Sequence, residues 1–153
     1  MSKGSTSCRT WPLLPLRLVI GFGFTVHGLA KLRRGPEAFA SILGGLHVPM
    51  PHVMAWATAL IELVGGLAVM VGAWVTFWCI PLGITMLVAL LTVHLRFGFS
   101  SVKLQAVTPS GPKFGAPGYE MNLLYLVAML ALALSPKMPF SVDNWIKTRK
   151  ARG

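Results

Sequence analysis

Apolar positions along the chain gather into four long windows, at 13–32, 53–73, 75–95 and 119–135, separated by stretches of unequal character. Each window approaches the ~20 residues a helix needs to cross a hydrocarbon core about 30 Å thick. The pattern predicts an all-α integral membrane protein, a four-transmembrane-helix bundle with a single domain over 1–153. The first window also has the outline of a signal peptide, because Lys3 and Arg9 precede it. Its length, the internal Arg17, and the basic Lys31, Arg33 and Arg34 where a small-residue cleavage site would stand favour a retained span.

The connections differ sharply. Gly72, Ala73 and Trp74 leave room only for a tight turn between the second and third windows. The link "RRGPEAFASILGGLHVPMPH" predicts a short interfacial helix over 37–43, stopped by Gly44 and Gly45 and then by Pro49 and Pro51. A Gly-, Pro- and Ser-rich loop over 96–118 joins the last two windows. Both elaborated loops fall on one side of the bundle, and no internal repeat is evident.

Charge sets the orientation. Lys3, Arg9, Arg17, Lys137, Lys147, Arg149, Lys150 and Arg152 lie toward the termini, against Lys31, Arg33, Arg34, Arg96, Lys103 and Lys113 toward the loops, eight to six. With the dense basic tail at 137–153, this favours cytoplasmic termini in a multi-pass protein of the cell membrane. Composition agrees with the bilayer: 54% of residues are hydrophobic and 12% charged, with a mean hydropathy of +0.67, too apolar for one soluble core. The net charge of +10 suits anionic headgroups or an acidic partner. Nucleic acid is a poor match, since the basic residues are scattered around membrane ends. Cys8 and Cys79 make no C-x-x-C or zinc spacing and read as a tail thiol and an apolar packer.

Depth then selects the candidate chemistry. Glu62 lies near the centre of the second window, and centring the windows leaves His27 only about 5 Å away in depth, so these two are the expected partners. Arg17 lies toward the opposite side, roughly 10 Å from Glu62 in depth. Lys31, His94 and Glu120 form a second tier about 12–13 Å from the midplane, as the rim of a polar funnel. Arg17, Gly21, Phe24, Gly28 and Lys31 share one helical stripe, and Thr58, Glu62, Gly65, Val69 and Gly72 another, so Glu62 is expected to face protein.

A central acid costs about 2.5–3.5 kcal/mol to insert, and must be neutral, paired or next to water. Glu62 beside His27 would suit proton-coupled chemistry; the plainer reading is a neutral Glu62 hydrogen-bonded across helices as packing glue. Glu120 would also serve as a helix-start cap, and Lys31 and His94 would also reach headgroup water. His47 and His52 read as loop residues, and Trp11, Trp74, Trp78 and Tyr119 as interface anchors. No paired Glu-x-x-His supports a metal site among His27, Glu62, His94 and Glu120, and there is no haem pair, iron–sulfur motif or nucleotide loop.

The ordered set "RLVIGFGFTVHGLAKL", "LGGLHVPMP", "ALIELVGGLAVMVG", "VHLRFGF", "GYE" and "FSVD" resembles the DoxX family of small four-helix membrane proteins over about 16–143, with a longer loop at "SSVKLQAVTPSGPKF". The family's recurring polar positions correspond here to His27, Gly28, Lys31, Glu62, Gly65, Gly66, His94, Gly98, Phe99, Tyr119 and Glu120. The resemblance implies membrane redox work, in thiosulfate or oxidative-stress metabolism.

The leading expectation is a membrane oxidoreductase subunit that binds a quinone or similar lipophilic redox molecule. His27 and Glu62 would be catalytic, and His27, Lys31, Glu62, His94, Tyr119 and Glu120 would bind the cofactor. Electrons would come from a redox partner protein or a soluble reductant, and association into a homo-oligomer stays open. A noncatalytic anchor or assembly subunit recruiting a partner through the basic tail is the alternative. A proton-coupled small-solute carrier is the third reading, weakened by the lack of repeats.

Overall fold

A computed structural model describes residues 13–135, 138 and 140–150. Lys3, Cys8, Arg9, Trp11, Lys137 and Arg152, which entered the orientation and anchor arguments, lie outside the described residues. The described chain runs α1 (Leu13–Arg34), α2 (Pro36–Gly45), α3 (Pro51–Val71), α4 (Val75–Ala89), a π-helical turn (Leu90–His94), a 3₁₀ turn (Leu95–Phe97), β1 (Leu104–Thr108), β2 (Gly111–Phe114), α5 (Glu120–Ala133) and α6 (Val142–Lys150).

Among the described residues three stretches are long and apolar enough to cross a membrane: Leu13–Arg34, Pro51–Val71 and Val75–Phe97. The fourth window is a helix too, but α5 has only 14 residues, about 21 Å at 1.5 Å per residue. The count of four full spans expected from the windows therefore exceeds the three helices that meet the length of one. Local chemistry sets the ends. α1 stops among Lys31, Arg33 and Arg34, cations that favour the negative end of a helix. α2 and α3 each begin with a proline, whose missing N–H costs nothing in a first turn. Gly72 ends α3 in the left-handed region, φ 76°.

α1 and α3 run antiparallel in the tightest contact of the bundle. A Cβ on Gly21 would lie 2.6 Å from the Met70 nitrogen, one on Gly28 2.5 Å from the Leu63 nitrogen, and one on Gly66 2.6 Å from the Thr25 nitrogen. Only glycine permits that backbone-to-backbone approach, and the seven-residue spacing of Gly21 and Gly28 keeps it on one face. Gly65 serves a different neighbour, since its Cβ would meet Trp78 and Leu82 of α4. The core then closes around Phe24, Val69, Leu82, Met129 and Leu132, with Cys79 packed among them. Outward faces stay apolar, as in Val19 and Phe22 on α1, Ile80 and Ile84 on α4, and Val127 and Leu130 on α5. A surface of that kind is suited to lipid rather than water.

Two features differ from the expected loops. The stretch expected as an irregular loop holds an antiparallel hairpin, Thr108 opposite Gly111, with a register irregularity between Leu104 and Ala106. The Thr108 hydroxyl donates to the Gly111 carbonyl at 2.8 Å and closes the turn. The basic tail also forms a helix, α6, seated on the α3–α4 turn: Asp143 N–H donates to the Gly72 carbonyl at 3.2 Å, and its carboxylate accepts from Trp74 N–H at 3.1 Å. Beneath it Arg17 is buried, at 2% exposure, and donates to the Phe140 carbonyl at 2.8 Å. It is thus displaced away from Glu62 as expected, but is held inside the protein rather than reaching for headgroups.

Candidate functional site

The glycine contact determines what Glu62 meets. Centring the first two windows puts Phe24 and Thr25 opposite Ile61, whereas the structure places Gly28 against Ala59 and Leu63. α1 is therefore displaced along α3 by about one turn, roughly 5 Å. Lys31, one turn beyond Gly28, comes within reach of Glu62 and donates a hydrogen bond to its carboxylate as an ion pair. Glu62 is buried at 7% exposure.

The expected Glu62–His27 pair is thus replaced by Glu62–Lys31. The cause is rotation about α1 rather than depth. His27 lies about 40° farther from the α1–α3 contact than Lys31, and it is exposed. The four-carbon stem of lysine crosses a gap that imidazole cannot. Phe39 of α2 lies 5.1 Å from the Lys31 ammonium, centroid to nitrogen, and supports its inward course. No pattern in the sequence singles out Phe39, because its role depends on α2 folding back over the end of α1.

Beside this pair is a cavity of about 360 Å³. α1 contributes Phe24, His27 and Lys31, α3 Glu62, and α4 Met86 and Ala89; Met121, Asn122 and Tyr125 of α5 complete the wall. His94 enters from the π-helical turn, with Pro117 and Gly118 at the mouth. A π turn adds a residue to the helical ladder and rotates the residues beyond it, a device frequent at functional sites. The His94 Nδ1 lies 3.1 Å from the Pro117 carbonyl. A carbonyl only accepts, so Nδ1 carries the hydrogen, and in the neutral ring Nε2 is left as an acceptor.

Two expected site residues build the mouth, where Glu120 was expected at the rim. The Glu120 carboxylate accepts from Ser101 N–H at 3.0 Å, and the Tyr119 ring packs edge-on against Phe99 with centroids 5.6 Å apart. Tyr119 N–H donates to the Gly98 carbonyl and Glu120 N–H to the Phe99 carbonyl, each at 3.0 Å. Gly118 fits there because a Cβ would strike the Phe99 and Ser100 carbonyl oxygens, each 2.6 Å away. These contacts orient the start of α5 and hold the loop at the cavity entrance.

Asn122 is the site residue that sequence reasoning passed over. It is buried at 5% exposure, and its amide nitrogen lies 3.0 Å from the Met86 sulfur and 3.5 Å from the Met86 carbonyl. An amide inside an apolar window is itself a signal, since such groups seek partners across helices. Among the described residues there is no cluster of three or more His, Cys, Asp or Glu that would hold a metal ion.

The fold and this cavity define a class: a small multi-pass membrane protein with a partly buried ionisable pair beside a partly apolar chamber. The DoxX family model matches residues 12–95, and the chain belongs to the DoxX family. That stretch includes Lys31, Glu62 and His94, whereas Asn122 and Tyr125 lie beyond it. The chain is also 28% identical over 140 residues to a Bacillus subtilis (strain 168) protein named "Putative oxidoreductase CatD", covering 92% of this chain and 90% of that protein. No solved structure matches the chain.

Proposed function

We propose that this protein is a membrane oxidoreductase subunit that takes a quinone or similar lipophilic redox molecule into the cavity between α1, α3, α4 and α5. The observation that carries the reading is the partly buried Lys31–Glu62 pair on the wall of a chamber whose largely apolar lining includes Phe24, Met86, Ala89, Met121 and Tyr125. Apolar walls with a few convergent polar groups are what a flat ring with opposed carbonyls requires. His27 and Met121 line the chamber and are also exposed, so it reaches the outside of the bundle, where a membrane-dissolved ligand would enter. The relative named as an oxidoreductase supports the same reaction class.

A quinone supplies acceptance of two electrons with two protons. In this reading Lys31 donates a hydrogen bond to one carbonyl, Glu62 moves a proton to or from that end, and His94 Nε2 passes protons toward the mouth. His27 and Asn122 orient the ring. Electrons come from a redox partner protein, in thiosulfate or oxidative-stress metabolism. In the same reading α5 completes a four-helix bundle in the cell membrane with cytoplasmic termini. Its ends are extended by Tyr119 and Leu134, and the hairpin lies on the far side. The test is titration of reconstituted protein with a short-tailed quinone, read by quenching of intrinsic fluorescence. Saturable binding that is weakened in Lys31→Met supports the reading, and the lack of saturable binding rejects it.

A further inference from the structure

A second cavity, of about 600 Å³, lies at the opposite end of the bundle, between the start of α4, the end of α5 and α6. Its walls are of two kinds. Val75, Ala133, Leu134 and Met138 are apolar, whereas Asp143, Asn144, Lys147 and Thr148 project from one face of α6. The other face of α6 carries Val142, Trp145 and Ile146, exposed by 39%, 54% and 39%, with the Arg149 guanidinium stacked 4.0 Å from the Trp145 ring centroid. Positions 142, 145, 146 and 149 recur at helical spacing, so α6 has an apolar edge ending in a cation, the pattern of a helix lying in a headgroup layer. Its start is tied to the α3–α4 turn through Asp143, at the level where α4 begins and α5 ends.

The polar groups of this cavity are unequally committed. Asp143 already accepts from Trp74 N–H. The Thr76 hydroxyl donates to the Ala133 carbonyl, the Ser141 hydroxyl to the Met138 carbonyl and the Thr148 hydroxyl to the backbone of its own helix. Among the described residues Lys147 has no carboxylate within ion-pair distance. Lys147 is therefore the cavity's uncommitted charge, above an apolar floor at the membrane boundary. We propose that this cavity binds the headgroup of an anionic phospholipid from the surrounding leaflet, with Lys147 on the phosphate and the floor of Val75, Ala133 and Leu134 against the start of the acyl chains. The apolar floor and the lipid-level position favour a lipid over free phosphate, and the +10 net charge draws such lipids to the protein.

The test is native mass spectrometry of the full-length protein in detergent with phosphatidylglycerol or phosphatidylcholine of equal chain length. Phosphatidylglycerol should be retained about fivefold better, the preference one lysine confers near an anionic surface. Lys147→Gln should abolish the preference and Lys147→Glu reverse it, while Lys147→Arg keeps it and Lys113→Gln on β2 leaves it unchanged. Equal retention of the two lipids, or a preference surviving Lys147→Gln, would overturn the assignment. Displacement of phosphatidylglycerol by millimolar inorganic phosphate would overturn the lipid part by revealing a site for a free anion, and displacement by an acidic peptide alone would point to a protein partner instead.

Discussion

Lys31, at the end of α1, and Glu62, in the middle of α3, form a partly buried ion pair across the tightest helix contact of the bundle. Their meeting depends on Gly28, which lets α1 and α3 approach at the level of Ala59 and Leu63. A charge so placed is costly to strand. Lys31→Met should destabilise the protein by about 3 kcal/mol, because it leaves Glu62 buried without its partner, and Glu62→Gln by less, because Lys31 is only partly buried. The double variant should recover most of that loss. Thermal unfolding in detergent reads the cycle, and additive single effects would mean that the two residues do not act as a pair.

The glycines provide a sharper contrast. Gly28→Ala forces a methyl against the Leu63 nitrogen and the Ala59 carbonyl, 2.5 and 2.8 Å away, and should cost about 1–3 kcal/mol by overpacking. Gly83→Ala, in mid-α4 with no neighbouring atom within 4 Å of its Cβ, should be neutral or stabilising by up to about 1 kcal/mol. Equal unfolding midpoints for the two variants would contradict the close approach.

At the other end of the molecule, Asp143 holds α6 to the α3–α4 turn. Asp143→Ala removes the acceptor for Trp74 N–H and an acid from the first turn of α6. Amide exchange at Trp74 and over 142–150 should rise several-fold while the centre of α3 is unchanged. Unaltered exchange at Trp74 would show that the contact does not hold the helix.

His94 should matter to ligand affinity more than to folding. His94→Phe keeps a ring in the cavity wall but loses both the hydrogen bond to the Pro117 carbonyl and the Nε2 acceptor. With the mouth no longer tied through the Pro117 carbonyl, quinone binding should weaken by up to about tenfold, the worth of that one hydrogen bond at ~1.4 kcal/mol. An unfolding midpoint that falls with affinity unchanged would make His94 purely structural.

Much of the architecture was legible because lipid imposes strong rules on sequence. The first three windows became helical stretches, the third including its π and 3₁₀ turns, with ends shifted by two residues or fewer, since apolar length and Gly or Pro punctuation define them directly. The inward turn of Glu62 was readable from the small residues on its stripe. Its partner was misread because depth alone was used to choose it: backbone contact at Gly21, Gly28 and Gly66 brings Lys31 within reach, while His27 is turned away from the contact and exposed. Glu120 was placed at the funnel rim by depth, and Tyr119, by position an interface anchor, joined the ligand set through the family resemblance. The fold of 98–101 against 118–121 adds the contacts through which they organise the mouth. The hairpin and α6 were hidden by composition: Gly, Pro and Ser masked a short strand pair, and dense positive charge masked an amphipathic helix.

The central claim is that Glu62 works at the redox ligand's site, and infrared difference spectroscopy of the Glu62 carboxyl in liposomes tests it most directly. Addition of a quinone analogue should shift a carboxyl band in the wild-type protein, and the shift should vanish in Glu62→Gln. A quinone that binds saturably yet leaves the Glu62 band unmoved would contradict the claim and return Glu62 to a role in helix packing alone.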